Sequence, residues 1–206
     1  MTRTDRMASG TIGRASQVLV TVLVLLVVAG GCGADDEAAG PLLLAGPTTD
    51  IVVAIPTGWH QVINSANPIL PQMVAPTNCL GRNEVACATG LARIATTTAP
   101  TAEVAAEGVR NAVSTAPGVT PGSSLSRGPA RLAQRDGYRH RFTFSNQGGP
   151  LTAEVAALPT GAAAPDPQGN RSFSVVLVWL TTKPGAPAVE VIDEVVDSVN
   201  VLEAGR

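Results

Sequence analysis

Aromatic residues are scarce in this chain, with three Phe, two Trp and one Tyr among 206 residues. Its core must therefore be built mainly from Val, Ala, Leu and Ile. Lysine is rarer still, with one residue, Lys183, against abundant Arg, Ala, Gly and Pro. That bias looks like the product of a GC-rich genome, such as an actinobacterium's. His60 and His140 are the only imidazoles and there are three cysteines. A zinc site built on two of the cysteines would need two more ligands, and the only histidines are distant in sequence. A Gly-x-Ser-x-Gly elbow, a His-Glu-x-x-His pair, a Gly-rich phosphate loop ending in Lys-Ser/Thr and a paired-cysteine metal motif are all missing. The expectation is a protein that is not an enzyme and carries no cofactor or metal.

What is present is concentrated first at the N-terminus. Arg3, Arg6 and Arg14 precede an aliphatic run from Val18 to Val28, and Ala29, Gly30 and Gly31 lead directly into Cys32. A positive start, a short apolar centre and small residues at the cut make a secretory signal. The run is too short to span a bilayer, which takes about 20 apolar residues. Arg3 and Arg6 are not adjacent, so a twin-arginine signal is not supported.

The order resembles the bacterial lipobox. That resemblance implies that residues 1–31 are removed and that acyl chains of the palmitate type on Cys32 hold the mature protein to the outer face of the cytoplasmic membrane or the cell envelope. Asp35, Asp36 and Glu37 follow, where charge resists re-entering hydrocarbon. Residues 32–49 read as a lipidated tether with a reach on the order of 55 Å if extended. Leu42, Leu43 and Leu44 interrupt its polar character.

Residues 50–206 are the size of one domain. Losing three Arg and one Asp with residues 1–31 leaves 11 basic against 15 acidic residues, a net charge of −4. This is no footprint for nucleic acid. With Cys32 assigned to lipid, Cys79 and Cys87 remain as an even pair in a disulfide-permissive compartment. They read as a disulfide, with two free thiols as the alternative.

Along the domain, "DIVVAIP" is a β-branched strand stopped by a turn that presents Trp59. A long stretch from Asn64 to Asn78 carries Ile69, Leu70, Met73 and Val74. These side chains either cover one end of a sheet or form a partner surface with Trp59, which is itself either core or contact. "ATGLARIATTT" reads as a second strand. Ala102, Ala105, Val109, Ala112, Val113 and Ala116 then share one face of a helix, with Glu103, Glu107, Arg110 and Asn111 largely opposite. Two strands follow around Asp136-Gly137, a frequent hairpin turn pair. In the second of them Tyr138, His140, Phe142 and Phe144 alternate with Arg139, Arg141, Thr143 and Ser145. "LTAEVAAL" is another strand, and "RSFSVVLVWLTT" reads as a central strand covered on both faces. The closing "APAVEVIDEVVDSVNVL" spaces Val189, Ile192, Val196 and Val199 as a helix. The predicted order is β-β-α-β-β-β-β-α, an α+β fold with an antiparallel sheet covered by helices.

Arg127, Arg131, Arg135, Arg139 and Arg141 crowd one hairpin of an otherwise acidic domain. They are either the solvated face of an antiparallel pair or a patch for an anionic partner. His140 between two of them could serve as a general base, although a half-buried strand histidine is more often simply hydrogen-bonded.

The pattern is similar to the PsbP-like fold through "IPTGW" after the first strand, the helix after the second, the meander ending in "SFSVVLVWL" and the closing "VIDEVVDSV". It resembles in particular the LpqN-type lipoproteins of mycobacteria, which pair a lipobox with such a domain, an α/β/α sandwich. The resemblance covers about residues 48–202. It implies a non-enzymatic envelope protein that acts by binding, as an assembly or docking module for an envelope protein. No functional residue carries over from it. The alternative is a carrier holding a lipid or other apolar ligand between sheet and helix, which requires an internal cavity.

Overall fold

The structure, a computed structural model, describes residues 42–46, 49–62, 72–75, 88–161 and 164–202. The strands are β1 (Leu42–Ala45), β2 (Ile51–Ile55), β3 (His60–Val62), β4 (Gln72–Val74), β5 (Gly90–Ala99), β6 (Thr120–Leu132), β7 (Arg135–Asn146), β8 (Gly149–Pro159), β9 (Arg171–Thr181) and β10 (Asn200–Val201). Helix α1 (Ala102–Ser114) follows β5, and helix α2 (Val191–Asp197) follows β9. A seven-stranded sheet runs β3-β4-β5-β9-β8-β7-β6, and a three-stranded sheet runs β1-β2-β10. All pairings are antiparallel. Among the described residues the fold is α+β, mostly antiparallel sheet with two helices.

Alternation along each strand builds two cores on opposite faces of the large sheet. On one face Phe142, Phe144, Leu151, Val155, Phe173 and Val175 pack against Ala105 and Ala106 of α1. On the other, Ala156, Leu158, Val176, Val178 and Leu180 pack against Ile51, Val53 and Ile55 of β2 and against Ile192, Val195 and Val196 of α2. Strand β9 lies between β5 and β8 and is buried on both faces, which is why its sequence is almost unbroken apolar. Helix α1 starts where Thr101 Oγ1 accepts the amide of Val104, a satisfied N-cap.

Four short strands, β1, β3, β4 and β10, lie outside the predicted order. The Leu42–Leu44 run that interrupts the tether is β1, with Leu43 opposite Ala54 and Leu44 opposite Val53. The closing helix is shorter than the valine spacing implies. Val189 is exposed ahead of α2, and Val199 is buried beyond its end, because the chain turns at Ser198 to add β10 beside β2.

The β6–β7 turn lies three residues earlier than Asp136-Gly137 suggests. Leu132 pairs with Arg135, so the loop is Ala133-Gln134, both with positive φ (47° and 63°). Such a two-residue turn matches strand twist even without glycine. Gly137 serves a different need, since a Cβ there would stand 2.6 Å from the carbonyl oxygen of Ala157 on β8. Among the described residues no helix is long and apolar enough to cross a membrane.

Candidate functional site

The polar chemistry of the domain gathers on β7, and the strand's alternation sends it to opposite faces. On the α2 face, Arg141 stands opposite Glu154 of β8. Glu154 is buried, and its two carboxylate oxygens accept one from Arg139 Nε and one from Arg141 Nε, the latter at 2.6 Å. Asp193 Oδ1 takes a second nitrogen from each, 3.0 Å from Arg139 and 2.6 Å from Arg141, and Asp197 Oδ1 lies 2.8 Å from Arg139. Asp193 and Asp197 are one helical turn apart on α2, so the cluster ties that helix to the sheet.

Burial alone would weaken the charge on Arg139 and Arg141. The carboxylates outweigh it and raise both above the ordinary guanidinium value. The hydrogen bond from Arg141, with the charge of both guanidiniums, holds Asp193 below the ordinary carboxylate value of 3.8. A carboxylate depressed on folding stabilises the native state above its unfolded pKa, and that contribution disappears as pH falls through the lower, folded value. Acid unfolding should accordingly set in below about pH 4. Asp193→Asn should be less stable at neutral pH and lose less on acidification. Thermal midpoints measured between pH 7 and pH 2.5 would show the two curves converging at the acid end, and parallel curves would reject the assignment.

On the α1 face, His140 is buried with Nε2 2.9 Å from Ser124 Oγ, and its Nδ1 lies 2.9 Å from Glu107 Oε1 without an aligned hydrogen bond. Ser124 reaches the imidazole because β6 shifts register on either side of it, a bulge that re-aims the side chain. The connectivity hydroxyl, imidazole, carboxylate is that of an activated nucleophile. Catalysis also needs a recess beside the hydroxyl. Two clefts bounded by described residues, about 250 Å³ by Lys183 and about 340 Å³ by Arg127, are lined by neither Ser124 nor His140. The Ser124 contact gives the buried imidazole one hydrogen-bond partner and ties the β6 bulge to β7. Among the described residues no group of His, Cys, Asp and Glu could hold a metal ion.

The predicted partner and anion surfaces change accordingly. Trp59 is 6% exposed and belongs to the core. Gly58, at φ 85°, turns the chain back, and Gly90 leaves space for the indole, since a Cβ there would lie 3.0 Å from the ring. Met73 is the middle residue of β4 and is also in the core. Neither offers an apolar anchor to a partner. Ile69, Leu70, Cys32, Cys79 and Cys87 lie outside the described residues.

Nor do the five arginines form a free cationic patch. Arg139 and Arg141 are held as above, and Arg135 binds Asp50 and the carbonyl of Pro159. Arg127 and Arg131 remain 63% and 70% exposed, facing Glu107 at 3.7 Å and Asp136 at 3.4 Å. A run of arginines leaves their anions unstated, and here the anions come from Asp50 just before β2, from β7 and β8, and from α1 and α2. One sequence signal did point to them, since Glu154 interrupts an otherwise apolar "LTAEVAAL". An ionisable side chain in such a run implies a buried partner.

No family model matches the sequence, and no curated protein matches it either. Among solved structures, the chain is similar to a Bacteroides thetaiotaomicron protein at 11% identity and a TM-score of 0.41, covering 76% of this chain and 47% of that one, about half its length. It is similar to cyanobacterial PsbP from Synechocystis at 12% identity and a TM-score of 0.47, covering 84% of this chain and 98% of that one. LpqN of Mycobacterium tuberculosis, described as involved in cell envelope biogenesis, aligns at 11% identity and a TM-score of 0.41 over 80% of this chain and 87% of its own.

Proposed function

We propose that this chain is an exported lipoprotein, anchored through acyl chains on Cys32, whose domain works by binding, as a docking or assembly module for another protein of the cell envelope. The observation that carries the reading is the aliphatic run that ends in Ala29-Gly30-Gly31-Cys32 and turns acidic at once. In the folded domain the Glu154 cluster with Arg139, Arg141 and Asp193 ties α2 to the sheet. Metabolic labelling with an alkyne fatty acid tests the anchor. Label is expected on the wild-type chain and absent from Cys32→Ala, and label that survives the substitution would reject it.

Cys79 and Cys87 are proposed to be bridged in the same oxidising compartment. Intact mass after alkylation should then rise only when a reductant is added first, and two thiols reacting without it would refute the bridge. The carrier reading is the weaker one, since it needs an enclosed apolar cavity and the described clefts have charged or hydroxyl-bearing walls.

A further inference from the structure

The three-stranded sheet buries one face and leaves the other mostly apolar and uncharged. Its inner positions, Leu44, Ile51, Val53 and Ile55, are buried in the core. The alternate positions, Leu43, Ala45, Val52, Ala54 and, on β10, Asn200, face outward, with Leu43 59% exposed and Asn200 the one polar side chain among them. Leu202, just past β10, is 44% exposed. No outward position of the three strands carries a charge, and the one charge at the start of β2, Asp50, turns to Arg135, Ser174 and the amide of Gly161. An antiparallel sheet with one solvated face normally alternates apolar with polar residues. This one carries no charge and only Asn200 as a polar side chain on its outer face, and so implies a second covering.

The sequence says what is within reach. Only nine residues, 33–41, separate Cys32 from β1, at most about 33 Å of extended chain. If Cys32 is acylated, as proposed above and as this inference requires, β1 is the part of the domain tied closest to the bilayer. A short tether also makes any second contact effectively intramolecular, so weak apolar contacts suffice to fix orientation. We infer that the outer face of the β1-β2-β10 sheet rests on the lipid surface. Helix α1, on the opposite face of the large sheet, is then turned away from the membrane toward the envelope space.

Photocrosslinking tests this in living cells, with the full chain carrying p-benzoylphenylalanine in place of Leu43 and, separately, in place of exposed Asn111 on α1. Both positions are at the surface, so folding is retained, and an unchanged thermal midpoint checks it. Several-fold more phospholipid adduct is expected at position 43 than at 111, with Leu202 behaving like Leu43. An acylated chain with equal lipid adducts at 43 and 111, or with protein adducts predominating at 43, overturns the placement and leaves the anchor standing. A chain with no acyl label on Cys32 overturns the anchor and the placement with it.

Discussion

Replacing Glu154 by Ala lowers the stability of the domain by about 3 kcal/mol, because removing one partner of a buried ion cluster leaves the others uncompensated. Glu154 is 2% exposed, whereas the Arg139 and Arg141 side chains are 26% and 20% exposed. Without it, both guanidiniums keep only the half-exposed carboxylates of α2. For a domain of this size the expected fall in thermal midpoint is about 6–12 °C. Glu154→Gln retains an acceptor oxygen and should lose about half as much. Glu154→Leu combined with Arg139→Leu and Arg141→Met should recover most of the loss, since apolar replacement of a whole buried cluster is often neutral or better. Reversible denaturant unfolding measures all three. A midpoint unchanged in Glu154→Ala would mean that Asp193 and Asp197 alone hold the arginines.

Phe142→Ala should be the most damaging single truncation, costing about 4 kcal/mol. All three phenylalanines and the one tyrosine lie in the core facing α1. Phe142 is fully buried, with its ring centroid 5.6 Å from that of His140 and 6.0 Å from that of Phe144, and with the Arg110 guanidinium 5.9 Å above it. Across from these rings α1 presents mainly Ala. Large side chains on the sheet fit small ones on the helix, and alanine has no rotamer with which to fill a void. The site therefore collapses poorly, which puts the cost in the upper part of the range for such truncations. Phe142→Leu should cost about 1–2 kcal/mol, since part of the volume is kept. Urea midpoints distinguish the two. Equal losses for Ala and Leu would point to the ring contacts rather than the volume as the source of stability.

Much of this fold is legible from periodicity. The alternation in "YRHRFTFS" places aromatic and basic side chains on separate faces of β7, and that is how they lie. The unbroken apolar run of β9 marks the centre of the sheet. Pairings between distant segments are not legible in this way. Strands of two to four residues, such as β1, β4 and β10, carry too little pattern to show a period, and they exist because β2 and β5 offer open edges to them. Glu107 illustrates the same limit on α1, assigned by helical spacing to the outward face yet lying against His140. Spacing fixes a residue's angle around its own axis and leaves open what stands opposite.

By itself the sequence determines the class of the domain, the strands and helices long enough to hold a period, and the N-terminal pattern that ends at Cys32, because all of these are local in the chain. Only the tertiary structure decides that Trp59 and Met73 are core rather than contact, that the arginine hairpin is neutralised from within, and that one mostly apolar sheet face remains uncovered. Each of these depends on which distant residue fills the space opposite. Asp193 meets Arg141 across 52 positions and Asp50 meets Ser174 across 124, and no local pattern encodes such a meeting until the layers have packed.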